Sequence, residues 1–285
     1  MKKAQYKRFT RSKVGNIMSF MGLFAAGLFT LLPLIYTLAT SFKPLEELLV
    51  FPPRFFVERP TLMNYLELPN IIASLLVPLS RYVFNSLFVS IVTTFLHVIV
   101  ASMAAFVLSK GKMRGLTLIF LFVQFSLLYN HYTLAVPQYI ILSKLNLVDT
   151  YLVYILPYLP STLGVFLIKQ YMDGSVPDAL IEAAHIDGAN DWKVFWRIII
   201  PIIKPAWLTL TLFAFRDLWS LQPQGTIFSE KLKMLPNVMT TIIQGGIARS
   251  GSAMAATALL MIPPIVVYLV SQSNVMETMS SAGIK

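Results

Sequence analysis

Five stretches of this chain run for about twenty residues without a charged side chain: Ile17–Leu38, Ser86–Leu108, Leu116–Leu142, Tyr151–Ile168 and Ser252–Val270. A helix needs roughly 20 predominantly apolar residues to cross the hydrocarbon of a bilayer, so each run is long enough, or nearly so, to span. A soluble core cannot take up so much apolar surface. Hydrophobic residues make up 56% of the chain and charged ones 13%, against ~45–50% and ~25% in ordinary globular domains. The same figures exclude a disordered chain, which is poor in aliphatic and aromatic residues. Absence of cysteine excludes disulfides, a thiol nucleophile and thiolate metal ligands.

The run from Leu116 exceeds one span and reads as a helix to about Tyr129, followed by a kinked stretch around Pro137. Pro157 and Pro160 shorten or tilt the fourth span. A fifth lies within Ile198–Leu221, with Lys204 near one end and Arg216 and Asp217 near the other. Pro263 and Pro264 should kink the sixth. The expectation is an all-α, polytopic transmembrane bundle of six spans, one domain over residues 1–285, with both termini on one side. Loop charge selects that side. With the N-terminus cytoplasmic, inner segments carry thirteen Lys and Arg and outer ones nine, Lys204 being set aside as embedded. The short Lys110-Gly-Lys-Met-Arg114 loop carries the positive-inside signal most plainly. Residues 1–16 then form a basic cytoplasmic N-terminus that contacts anionic lipid headgroups, and residues 221–251 an outer loop. A net charge of +10 in so apolar a chain reads as this loop bias, not as a nucleic-acid surface.

Residues 169–201 hold the most structured inner loop. Ser175 with Asp178 resembles a capping box, with Pro177 tolerated in the first turn. Ala179–Asp187 consists of good helix formers, and Gly188 is a natural stop. Asn190 can cap a second helix, from Asp191 to about Ile200, that Pro201 ends or bends. Small residues at Ala183 and Ala184 allow close approach, and the Glu182 carboxylate beside them can pair with a basic group. This is the anatomy of a helix-turn-helix docking element.

The run Glu182-Ala-Ala-His-Ile-Asp-Gly188, then nine residues, then Ile198-Ile-Ile-Pro201 resembles the EAA loop of ABC importer permeases, with Ile200 in place of the usual Leu. Asp187-Gly-Ala189, Phe195 and Pro205, together with Thr61–Tyr65, Asn85-Ser86 and Ala104–Phe106, resemble the MalG-like carbohydrate-uptake branch. The C-terminal Thr278–Lys285 resembles its LplC/YtcP-type members. The resemblance implies a multi-pass permease subunit in the plasma or inner membrane of a prokaryote. It further implies a second permease, two ATP-binding subunits, an extracytoplasmic solute-binding protein and an oligosaccharide substrate. It assigns Glu182, Ala183, Ala184, Asp187 and Gly188 to ATPase coupling. ATP and Mg²⁺ would be bound by the partner subunits, so no cofactor and no metal are expected on this chain. Lack of a phosphate-loop, H-E-x-x-H or G-x-S-x-G pattern agrees with a non-enzymatic role.

Candidate substrate-path residues are Tyr129, Asn130 and His131 at the end of span three and Arg216 and Trp219 at the outer end of span five. Arg216 stands where the family often has an amide, and an Arg fork suits a sugar carboxylate. Water, headgroups or a partner subunit would satisfy it equally. Asp217 is not well placed as its partner, since adjacent side chains on a helix point about 100° apart. His97, mid-span, reads as a packing residue bonded to a neighbour, with no membrane acid facing it. His185 reads as a contact or surface residue. Rival readings are an importer permease for another solute and an ion-driven secondary transporter. The latter should carry internal repeats and midplane acids.

Overall fold

The computed structural model describes residues 13–73, 77–129, 131–222, 225–244, 246 and 249–282, and every regular element among them is helical. In chain order these are α1 (Lys13–Ser41), α2 (Leu45–Leu48), α3 (Met63–Ala73), α4 (Leu79–Lys110), α5 (Leu116–Ser126), α6 (Ala135–Lys144), α7 (Leu152–Ile155), α8 (Thr162–Ser175), α9 (Asp178–Ile186), α10 (Asp191–Val194), α11 (Ile200–Ile202), α12 (Lys204–Trp219), α13 (Leu235–Ile243) and α14 (Ser250–Ala282). The chain divides into two compact units, residues 1–68 with 242–259, and residues 69–241 with 260–285. The basic residues Lys2 to Arg11 lie outside the described residues.

Among the described residues three helices are long and apolar enough to cross a membrane: Val14–Ser41, Leu79–Lys110 and Ser250–Gln272. Two bent pairs have the same composition, Leu152–Tyr158 with Thr162–Ser175 at 41° and Asp191–Ile202 with Lys204–Trp219 at 80°. Proline accounts for both breaks. It lacks an N–H, and its ring collides with the carbonyl four residues earlier. Pro160 interrupts the first pair, and Ser161 restarts it by accepting the Gly164 N–H at 2.9 Å. In the second pair the helix passes through Pro201 as far as Ile202 and turns at Ile203, just before Pro205. The apolar run Ile198–Leu221 is thus an elbow, not one straight span. The third run also departs from expectation. α5 ends at Ser126, about 16 Å of helix, and α6 follows a 3₁₀ turn at His131–Leu134.

In the first unit α1 is apolar on all sides, and none of its most apolar window is buried within the chain. Such a helix needs a surrounding of lipid or of other helices. The segment after it folds back on its end. Asn64 Nδ2 donates to the carbonyls of Ser41 and Lys43 at 2.8 and 2.7 Å, Lys43 Nζ reaches the Arg54 carbonyl, and Phe55 packs on Tyr36 with centroids 5.6 Å apart. Gly251 approaches Asn64 so closely that a Cβ would lie 2.4 Å from Oδ1.

In the second unit α4 packs on α8 and α12. Its buried face is small and weakly polar (Ser90, Thr93, Ala101, Ser102, Ala105), which lets helices approach where no hydrophobic force drives them together. Gly164 serves the same end on α8, where a Cβ would fall 2.2 Å from Ser161 Oγ and 2.7 Å from Leu210. Gly164→Ala should therefore overpack this junction by ~1–3 kcal/mol, read as a lowered thermal midpoint of the purified protein. At the Leu79 end of α4, Asn85 Nδ2 donates to the Lys231 and Lys233 carbonyls at 2.9 and 2.8 Å, and Tyr82 donates to Glu230 at 2.9 Å. Asp149 accepts from the Phe228 and Ser229 N–H groups. The 226–235 stretch is thereby fixed to α4 and to the start of α7.

Candidate functional site

The helix-turn-helix element forms, with one change at its start. Ser175 is the last residue of α8, and Pro177, extended at φ −66° and ψ 141°, occupies the N-cap of α9 without a side-chain cap. The Ser175–Asp178 box is not made. Its place is taken by a residue from another helix: Lys110 Nζ donates to the Val176 carbonyl at 2.6 Å and to Asp178 Oδ1 at 2.7 Å. The Lys110 side chain is 9% exposed and Asp178 79%. That hydrogen bond and the Lys110 charge, with Lys112 adding to them, hold the Asp178 carboxyl below the usual carboxylate range. Sequence spacing gives no sign of this tie, because the partners are 68 residues apart.

Exit from α9 follows the expectation closely. Gly188 adopts φ +78°, which favours glycine. Its N–H donates to the His185 carbonyl at 3.0 Å and the Ala189 N–H to the Ala184 carbonyl at 2.9 Å, the two bonds of a Schellman stop. His185 braces the turn. Its Nδ1–H donates to the Ala189 carbonyl at 2.9 Å, and Nε2 lies 3.4 Å from Asp191. Asn190 Oδ1 accepts the Lys193 N–H at 2.9 Å, the cap read from the sequence.

Burial divides the proposed docking residues. Glu182, Ala183, Asp187 and Gly188 are exposed. Ala184 is buried among Met172, Val176, Val194 and Phe195, so it packs α9 against the next arm and leaves Ala183 alone on the small-residue face. Among the described residues Glu182 has no ion-pair partner. Two neighbours that the motif does not name extend the outward surface: Ile186 is 86% exposed and Trp192 60%.

The substrate-path candidates fall on separate stretches of the chain, residues 129–131 and α12. Asn130 lies outside the described residues, Tyr129 is exposed after the end of α5, and His131 opens a 3₁₀ turn. Trp219 is 4% exposed, stacks on Phe215 at 5.8 Å and donates Nε1–H to the Leu260 carbonyl at 2.9 Å. It is a packing residue. Arg216 pairs with Asp217 after all, Nε and Nη2 reaching Oδ1 at 3.1 and 2.9 Å. Both side chains are more than half exposed, so the long Arg side chain can fold back over the helix surface across the 100° separation.

A different set of residues does converge. His97, Ser161, Thr162 and Asp217 line a cavity of about 190 Å³ beside the break between α7 and α8. His97 Nδ1 lies 2.6 Å from the Tyr158 carbonyl. His97 is bonded to a neighbour as expected, but an acid does share its surroundings.

The inner membrane ABC transporter permease protein YcjP of Escherichia coli is 26% identical over 97% of this chain and 98% of its own length. The sulfoquinovosyl glycerol transport system permease protein SmoH of Agrobacterium fabrum is 29% identical over 90% of this chain and 89% of its own. The polygalacturonan/rhamnogalacturonan transport system permease protein YtcP of Bacillus subtilis is 26% identical over 88% and 91%. Among solved structures, a chain of a bacterial ABC transporter involved in the import of the acidic polysaccharide alginate shares the fold, with a TM-score of 0.73 at 21% identity, covering 93% of this chain and 99% of that one. The family model for the binding-protein-dependent transport system inner membrane component matches residues 68–280. The chain belongs to that family of ABC transporter permeases, the membrane component of binding-protein-dependent transport systems.

Proposed function

We propose that this chain is one of two unlike permeases in an ATP-driven importer of oligosaccharides, and that α9 with its Gly188 turn is the element through which ATPase subunits drive it. The observation that carries the reading is the knob itself: a helix stopped at Gly188, braced by His185 and Asn190, presenting Glu182, Ala183, Ile186 and Asp187 outward. Relatives named for arabinooligosaccharide and polygalacturonan/rhamnogalacturonan transport support a glycan as cargo. Closure of an ATPase dimer around two such knobs would draw them together and turn the cavity between the permeases outward, and hydrolysis would return it inward. Two states biased by ATP suffice for this. A solute-binding protein would deliver cargo to the outer loops, residues 221–251 among them. ATP and Mg²⁺ stay with the ATPase subunits. The test is co-purification. A tagged chain should bring down an ATP-hydrolysing subunit and a second permease, and recovery of the chain without any ATPase would overturn the reading.

Topology is part of this reading: one transport domain with six spans, both termini cytoplasmic and the 169–201 loop inside. Gly111 is a poor labelling site, since a Cβ there would lie 2.4 Å from the Val107 carbonyl oxygen. Met113 is 72% exposed and the Glu58 side chain 61%, so Met113→Cys and Glu58→Cys serve better in this cysteine-free chain. A membrane-impermeant thiol reagent should label Glu58→Cys from outside intact cells and Met113→Cys only after permeabilisation. The reverse pattern would invert the topology.

A further inference from the structure

The cavity between α4, α8 and α12 collects polar groups that coupling does not use, and we propose that it is a subsite for one uncharged sugar ring of the transported glycan, an inference that rests on the importer reading above. Its volume, about 190 Å³, is that of about six water molecules and falls below the ~300–1,000 Å³ of sites for drug-sized ligands. One pyranose or furanose fills it and a longer chain does not.

Its chemistry suits hydroxyl groups. The Tyr158 carbonyl can only accept, so His97 Nδ1–H donates to it, and in the tautomer protonated at Nδ1 alone Nε2 is an acceptor. Asp217 Oδ1 takes both hydrogens from Arg216, which leaves Oδ2 as a second acceptor. Ser161 accepts the Gly164 N–H and so has its own O–H to donate, with the Thr162 hydroxyl beside it. Pro160, Leu163 and Phe213 supply apolar lining for the C–H face of a ring. Charge argues the same way. The guanidinium is directed at Asp217, the pair is neutral as a unit, and a uronate would meet a carboxylate with no unpaired cation beside it.

Position supports a point on a transport path. His97 lies about 20 Å of helix from the Lys110 end of α4, a depth that falls within a hydrocarbon layer ~30 Å thick, and Asp217 lies near the outer end of α12, two residues before Trp219. Irregular backbone at such depth is tolerated where it lines a cavity, and the 159–161 break lines this one. Broken helices with polar side chains at the midplane are how membrane transporters hold cargo.

The test uses the complete transporter, co-purified and reconstituted, with a size-graded mixture of neutral arabino-oligosaccharides and oligogalacturonides and the imported pool read by mass spectrometry. Wild type should import neutral or mixed chains. Asp217→Asn should lower that import about tenfold, the worth of one hydrogen bond to a charged group at its lower limit, and Thr162→Val about fivefold, the worth of a neutral one, while ATP hydrolysis stimulated by the loaded binding protein persists. Import unchanged in both variants, or a pool of oligogalacturonides alone, overturns the subsite and leaves the importer reading standing. Failure of wild type to import any member of the mixture sinks the importer reading itself. Should Asp217→Asn fail to assemble, Thr162→Cys keeps the proposal open to refutation. Labelling of that thiol should slow about tenfold under transport with the glycan mixture, and an unslowed rate overturns the subsite.

Discussion

Gly188→Pro should abolish uptake while the permease still reaches the membrane. Proline requires φ near −65°, whereas Gly188 sits at +78°, and proline would also remove the N–H that donates to the His185 carbonyl. Both bonds of the helix stop would be lost together, and the path into Asn190 would be redirected. The damage falls on the exposed knob and not on the packing of α4, α8 and α12. Uptake in proteoliposomes should fall by more than about a hundredfold, the equivalent of ~3 kcal/mol or more. The ATPase should either dissociate or hydrolyse ATP without transport. Glu182→Ala, which removes one exposed carboxylate and changes no backbone angle, should give the same defect in milder form. Normal uptake with normal ATPase retention in both variants would remove the knob from the mechanism.

The second large effect belongs to Lys110. Its ammonium is the strongest polar tie between α4 and the entrance to α9, bonding the Val176 carbonyl and the Asp178 carboxylate at once. Val176 is 2% exposed, so Lys110→Met leaves a carbonyl with little access to water, a loss of ~1–3 kcal/mol. Uptake should drop at least about tenfold with ATP hydrolysis retained, because α9 could move without carrying α4. Lys110→Arg should restore part of it. The carboxylate half of the tie has a defined pH range. Asp178 is held below its ordinary value, so the bond is intact at neutral pH and weakens only as pH falls from the usual carboxylate range through the lowered one. A Lys110→Met protein with wild-type uptake would show that the tie carries no motion.

What the sequence disclosed and what it concealed divide along a physical line. Uncharged length is a local property, so the spans at Ile17, Ser86 and Ser252 could be read from one dimension and correspond to the helices long enough to cross. Gly188 and Asn190 were legible for the same reason, since a helix stop and a cap are made within five residues. Residues whose partners lie elsewhere were not. Ser175 has the spacing of a capping box, but Lys110, 68 residues from Asp178, takes its task. Ala184 and Trp219 looked like surface and path residues, yet tertiary packing buries both. Ideal helix angles turn Arg216 and Asp217 apart, but they ignore how far an exposed side chain of that length can bend. The cavity at His97 draws on three helices, and no window of sequence contains it.

The 80° turn at Ile203 has a mechanical consequence. The arm from Asp191 to Ile202 is about 18 Å long and α12 about 24 Å, and the two meet at nearly a right angle, the form of a bell crank. If the elbow stays rigid, a push at the Asp191 end along the direction of α12 emerges at the far tip of α12 as a sideways swing. The ratio of the arms enlarges it by about 1.3-fold. A stroke delivered by an ATPase from below would then open or pinch the space beside Asp217 instead of driving α12 through the bilayer like a piston.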